Sequence, residues 1–246
     1  EGKQRSSWFA PNLVHEEACL RCLWRLAPGG PAHPVFRQIE AFVRRIEPGA
    51  IANGIVQAAL RITCPGVPDL YQGTEFRDFS LVDPDNRRPV DYARRAESLA
   101  TFLRDARPVF APGRWAPAHW AAGRVKQAVI TALLRLRSEH REAFAGGYLP
   151  LPVQGERAGS LVAYARGDGV IVLAGVKCAA RMKEGEGASP VLPSDFWDGV
   201  TVALPFSSGR WQDVLRGRIA QPFTAQLRAA DLLVGFPLAV LCRDQG

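Results

Sequence analysis

The chain has 246 residues, is 47% apolar and carries a formal charge of +7. That length suits one large domain or two ordinary ones, with enough apolar material for a real core. No run of 18 uncharged apolar residues occurs and the first eight residues hold no apolar signal core, so neither a membrane span nor a secretory leader is expected.

The absence of a methionine at position 1 suggests a chain that begins inside a longer protein. Of the 31 basic residues, 27 are arginine and only four are lysine. They alternate with apolar residues at helical spacing rather than with aromatics in basic runs, so no nucleic-acid partner is expected. Five scattered cysteines include Cys19 and Cys22 at C-x-x-C spacing. No second pair completes a metal site, and both read as buried helix residues. A reducing, cytoplasmic setting follows from that usage.

Along the chain, Glu16 to Ala27 has the i, i+3, i+4 rhythm of an amphipathic helix. Pro34 to Glu47 reads as a second, stopped by Pro48-Gly49. Ala50 to Thr63 is apolar nearly all round and reads as a third, buried helix, with Asn53 and Gln57 as buried hydrogen-bonding groups. Two prolines and a glycine then introduce a very short apolar segment, Val67 to Tyr71, read as a lone buried strand. A polar loop of some twenty residues follows, ending at Asp91-Tyr92, where another helix begins and runs to Arg107. Loops that long without secondary structure are functional or disordered, and the fixed turn residues here favour function. Arg124 to Phe144 is the longest clean helical pattern, with Val125, Val129, Leu133 and Leu136 on its inner face.

From Tyr148 the period becomes two. Ser160–Arg166 and Val170–Val176 flank a tight Gly-Asp-Gly turn as a hairpin. Gly199–Leu204, Trp211–Gly217, Leu232–Val234 and Gly235–Cys242 continue the β pattern. The expected division is therefore residues 1–147, α/β, and residues 148–246, a small antiparallel, sandwich-like all-β domain.

The stretch Pro65-Gly-Val-Pro-Asp-Leu-Tyr-Gln-Gly-Thr-Glu75, placed after an apolar helix, resembles the eighth strand of the (β/α)8 TIM barrel of the α-amylase superfamily, glycoside hydrolase family 13. More narrowly, Ser80-Leu-Val-Asp-Pro-Asp-Asn-Arg-Arg-Pro-Val-Asp-Tyr92 is similar to the maltooligosyltrehalose synthase family. Ser7-Trp8, Pro11-Asn12, Leu133-Leu-Arg-Leu-Arg137, Trp211-Gln-Asp213 and Pro237-Leu-Ala-Val-Leu241 extend the likeness over essentially the whole chain.

The resemblance implies an isomerase that turns the reducing-end α-1,4 linkage of a maltooligosaccharide into an α,α-1,1 linkage. Its route would be a double displacement by two carboxyl groups, with water excluded. The family's catalytic carboxylates lie on earlier strands, and none of those motifs is present. The chain is thus expected to be the C-terminal part of the barrel, its final strand and flanking helices, followed by the β domain. It is expected to be inactive without the N-terminal barrel portion, and it needs no cofactor or metal. A stand-alone glucan-binding module is the alternative; such a module would melt cooperatively, whereas an isolated barrel piece would be partly unfolded.

Loops after barrel strands build the active site, which makes Tyr71, Gln72 and Glu75 substrate-binding candidates. Asp83, Asp85, Arg87 and Arg88 join them, since carboxylates accept from and guanidinium forks donate to vicinal hydroxyls. Clamping of the loop by those same groups is equally natural. Trp8 is a candidate aromatic platform, and Trp115 and Trp120 read as packing residues.

Overall fold

The computed structural model describes residues 5–7, 9–26, 28, 33–83, 85–184, 189–205, 209–220 and 225–243. The chain divides into two compact units, Glu1–Glu47 and Pro48–Gly246.

The first unit contains helix α1 (Leu13–Leu26) and the opening part of helix α2 (Pro34–Thr63). Asn12 caps α1 by accepting from the His15 amide at 3.1 Å. Ion pairs Arg21–Glu17 and Arg44–Glu40 line the solvent faces one turn apart. Cys19 and Cys22 are exposed, not buried as the apolar pattern had suggested; the apolar side chains around them are exposed too. Pro48 lies inside α2 rather than ending a helix. A proline's fixed φ is helical, so its cost in mid-helix is one missing donor and local crowding, which a long helix can absorb.

The second unit begins at Pro48. On it α2 buries Ile51, Ile55, Ala59 and Ile62 while Asn53, Gln57 and Arg61 face outward. The expectation that Asn53 and Gln57 are buried is therefore wrong: the helix is amphipathic, and its polar stripe is narrow. Helices α3 (Tyr92–Arg104), α4 (Pro117–Ala122), α5 (Arg124–Glu139) and α6 (Arg141–Ala145) follow. The single long pattern from Arg124 breaks at His140, whose backbone leaves the helical region.

Residues Pro65–Tyr71 form no strand and Val67 is 94% exposed, so the lone buried strand read from the sequence is not there. A parallel strand is buried only between neighbours. Among the described residues every strand lies beyond Gly147 and every pairing is antiparallel.

The β part holds β1 (Tyr148–Pro150), β2 (Val153–Gln154), β3 (Leu161–Arg166), β4 (Val170–Gly175), β5 (Lys183–Glu184), β6 (Pro190–Val191), β7 (Thr201–Ala203), β8 (Trp211–Asp213), β9 (Arg218–Ala220), β10 (Gln226–Arg228) and β11 (Leu238–Arg243). A six-stranded sheet runs β1-β3-β4-β11-β8-β9, and β10-β7-β2 form a second sheet. The predicted hairpin is β3–β4, with Arg166 opposite Val170. Leu232–Val234 is not a strand; Ala229–Leu232 is instead a short helix, α7, which buries Ala229 and Leu232. Secondary structure does change character at Gly147, yet helices and sheet from Pro48 onward share one hydrophobic core. Strand β4 is its centre, with Val170, Ile171, Val172 and Leu173 fully buried. Trp115 and Trp120 are built into the packing: the Trp115 indole donates to the Val109 carbonyl at 2.6 Å, and Trp120 stacks on Phe110 and Phe236.

The carboxyl end of α2 is fixed to this core by two arginines. Arg137 of α5 donates to the carbonyls of Ile62 (2.8 Å) and Gly66 (2.6 Å). Arg166 of β3, only 3% exposed, donates to the Thr63 carbonyl at 3.1 Å, to that of Phe144 and to that of Gly146. Thr63 Oγ1 also meets the Tyr164 hydroxyl at 2.5 Å. Helix ends leave carbonyls unpaired, and a cation there opposes the helix dipole. Arg166→Met would strand three carbonyls in the core and is expected to cost about 3 kcal/mol. The melting temperature followed by circular dichroism should fall by roughly 10 °C. Arg21→Ala, on an exposed pair, should change stability by less than about 0.5 kcal/mol.

Candidate functional site

The loop from Gly73 to Asp91 is held from behind by side chains of the helices that follow it. Arg95 of α3 donates to the Gly73 carbonyl at 2.6 Å, to the Asp91 carbonyl at 3.0 Å and to Glu75 Oε2 at 3.2 Å. Its own carbonyl accepts from Gln127 of α5. Arg77 donates to the Ala121 carbonyl, and the Lys126 ammonium lies 3.4 Å from the Phe76 carbonyl. Phe76 is buried, with the Arg95 guanidinium over its ring. Gly123, at the α4–α5 junction, has φ +81 and sits so close to the Arg77 amide that any side chain there would collide with the loop backbone.

Farther out, the loop ties itself together. Asp78 accepts from the Ser80 amide and hydroxyl at 2.9 and 2.5 Å. Those two bonds hold its carboxyl below the ordinary carboxylate range, with Lys126 and Arg88 adding a smaller pull. Asp85 accepts from the Leu81 amide and pairs with Arg88, while Asp83 pairs with Arg87, around one 3₁₀ turn at Asp85–Arg87. Asp91 caps α3 by accepting from the Arg94 amide, which is the start the sequence indicates.

Between the loop and the polar stripe of α2 lies a groove of about 450 Å³. Gln57 and Arg61 form one wall, Asp69 and Tyr71 an end, and Asp78 and Asn86 the other wall, with Lys126 at its floor. Arg61 also donates to the Asp69 carbonyl, tying the helix to the entering chain. Burial lowers the Lys126 pKa, with Arg61 pushing the same way, while Glu75 and Asp78 oppose the shift. The groove therefore offers an amide, a guanidinium, an ammonium, a carboxylate and a phenol to one guest. That mixture suits a neutral, many-hydroxyl ligand, because each hydroxyl both donates and accepts.

Of the residues chosen from the sequence, Tyr71 lines this groove. Glu75 is turned away into its pair with Arg95, and Gln72 is exposed beside it. Asp83, Asp85, Arg87 and Arg88 form the turn that carries Asn86 into the groove wall, and their charges are spent on one another. Trp8 lies outside the described residues. The sequence reading missed Arg61, Asp78, Asn86 and Lys126. The signal for Arg61 was there, since 54, 57, 58 and 61 share one helix face. Lys126 carried none: only the fold brings it beneath the loop. Among the described residues no cluster of His, Cys, Asp and Glu is arranged to hold a metal ion, and no helix is long and apolar enough to cross a membrane.

No family model matches the chain. A Mycobacterium tuberculosis protein provisionally named maltooligosyl trehalose synthase is 33% identical over 245 residues, 99% of this chain and 27% of the relative. The structure of maltooligosyltrehalose synthase from Arthrobacter ramosus superposes with a TM-score of 0.73 at 30% identity, over 98% of this chain and 28% of that one. The chain is homologous to the maltooligosyltrehalose synthases. A Sulfolobus tokodaii structure bearing a hypothetical form of the same name shares the fold, with a TM-score of 0.60 at 23% identity over 98% of this chain and 27% of its own. The likeness carried by Pro65–Tyr92 thus holds from end to end, although the chain spans about a quarter of the length of the curated relatives it matches.

Removing the anchor behind the loop should free it without unfolding the core. Arg95→Met is expected to raise amide hydrogen exchange across residues 73–90 at least about tenfold while exchange in β4 stays unchanged. The Asp78 carboxyl, followed by NMR, should titrate below its ordinary value of 3.8 and move back up in Ser80→Ala. Since its folded-state pKa is the lower one, its contribution to stability is present above 3.8 and is lost as pH falls through the depressed value.

Proposed function

We propose that this chain is the C-terminal part of an enzyme that converts the reducing-end α-1,4 linkage of a maltooligosaccharide into α,α-1,1, leaving a terminal trehalose unit. The observation that carries the proposal is the 33% identity running through 245 residues without confinement to one motif. In this reading Pro65–Tyr71, which forms no strand by itself, would pair only beside earlier barrel strands outside this chain, and the loop after it is one wall of the sugar site. Tyr71, Gln72 and the groove residues hold glucose, Asp83–Arg87 and Asp85–Arg88 shape the turn, and their outer edges meet the substrate. The setting is a reducing one, such as the cytoplasm.

Holding and bond-making are separate duties, and the loop is equipped for the first. A double displacement needs one carboxylate as nucleophile and a second carboxyl group that stays protonated until it donates. A proton donor requires a raised pKa. Asp78 is shifted the other way, and Glu75 is engaged by a guanidinium. The chemistry then belongs to carboxylates outside this chain, and this chain by itself binds and orients without turning over.

One observation favours a second reading, a glucan-binding module without catalysis: Pro48–Gly246 is a compact unit with its own continuous core. Chromatography of trehalose-ended products separates the readings. Residues 1–246 incubated with maltopentaose should yield none; measurable turnover would overturn the assignment of catalysis to residues elsewhere. When the chain replaces the matched segment of the Mycobacterium tuberculosis relative, product should appear, and a module reading predicts none. In that joined enzyme Arg87→Ala should lower kcat/KM by about tenfold, the worth of roughly one charged hydrogen bond; unchanged kinetics would reduce Arg87 to a loop clamp.

A further inference from the structure

Among the described residues of the first unit, the apolar faces of α1 and of α2 before Pro48 are left exposed. On α1, Leu13, Leu20, Leu23 and Trp24 are between 49% and 69% exposed. On α2, Val35, Ile39, Phe42 and Ile46 recur at i, i+4, i+7 and i+11, and are between 41% and 54% exposed. That spacing is one uninterrupted helical stripe. Polar partners occupy the other side: Arg21–Glu17 and Arg44–Glu40 pair in water. An apolar stripe on a helix is ordinarily packed against a neighbour, and contiguous exposed apolar patches mark interaction surfaces.

We infer that these two stripes are a docking surface for the part of a maltooligosyltrehalose synthase polypeptide that this chain does not contain, and not for a second copy of the chain. This rests on the proposed function and deepens it by naming the residues that make the join. Two observations select the occupant. The relatives whose structures superpose on 98% of this chain have more than two-thirds of their length outside the match, so a body of sufficient size exists to cover both helices. Val43, 50% exposed, widens the α2 stripe beside Phe42, and an apolar face of that breadth suits permanent burial within one protein better than a transient contact.

Cys19 and Cys22 are natural reporters, being the exposed cysteines while Cys178 and Cys242 are buried. Labelling by N-ethylmaleimide, read by mass spectrometry, should be fast in the 246-residue chain, which light scattering should show as a monomer. In the chain joined to the rest of the Mycobacterium tuberculosis relative, labelling of Cys19 and Cys22 should slow at least about tenfold. Introducing Ile39→Asp with Phe42→Asp should abolish that protection in the joined chain and leave the melting temperature of the 246-residue chain unchanged. Equal labelling rates in the two forms would overturn the inference, as would protection that survives the double substitution. A concentration-dependent dimer that protects the cysteines would assign the surface to a second copy. A fall in the melting temperature of the isolated chain would show the stripes already covered within it. Protection is read without activity, so a protected but inactive joined chain would sink the proposed function and leave the docking surface standing.

Discussion

The contact on which the second unit depends is guanidinium to carbonyl at the carboxyl end of α2. That helix finishes inside apolar surroundings, where unpaired carbonyls cost about 1–3 kcal/mol each. Arg137 and Arg166 reach them from α5 and β3, so one end of one helix is tied to another helix and to the sheet. Arg166 also takes the Phe144 and Gly146 carbonyls, which fixes the end of α6 to the same point. The phenol of Tyr164, whose pKa burial pushes well above its ordinary value, completes the joint through Thr63. Everything downstream of Thr63, including the candidate site, starts from this fixed place.

The same device recurs. Arg114 donates to the carbonyls of Phe102, Asp105 and Pro108, and Arg216 to those of Val234, Phe236 and Leu238. Arg95 does it for the loop. A guanidinium offers five donors in a rigid fork and stays charged when buried, so it can close several carbonyls at once. Arg114, Arg216 and Arg95 also pair with Asp105, Asp213 and Glu75, so carbonyls take the donors of each fork that one carboxylate leaves over. The preference for arginine over lysine fits that use, since one fork can close several carbonyls at once.

Much of this was legible. The switch at Gly147, the β3–β4 hairpin, the inner face of α5 and the start of the helix after Asp91 all follow from local spacing and turn chemistry. What was not legible depends on neighbours. Val67–Tyr71 has a strand's composition, yet a strand is a relation between segments and no partner lies within the described residues. Asn53 and Gln57 were misjudged because a helix with a narrow polar stripe looks apolar all round in a short window, whereas burial is decided by which side meets the core. Cys19 and Cys22 sit among apolar residues that are themselves exposed among the described residues of their unit. Lys126 could not be connected with a loop some fifty residues earlier until α5 was seen to pass beneath it.

Under the proposed function, the loop's charges suit holding a sugar better than breaking one. Its four outermost charged groups neutralise each other in pairs, and its deeper carboxylate, Glu75, is taken by Arg95. Such pairs present hydrogen-bonding edges towards solvent, which suits recognition of neutral hydroxyls. A catalytic acid wants the opposite environment, apolar and short of donors, so that its proton is retained. At Asp78 the environment runs the other way: its bonds from Ser80, with a smaller pull from Lys126 and Arg88, favour the ionised carboxylate. On that same proposal, what keeps the loop in one shape also fits it for holding, and a glucose in the groove beside Tyr71 would present its anomeric carbon to groups that arrive from another part of the protein.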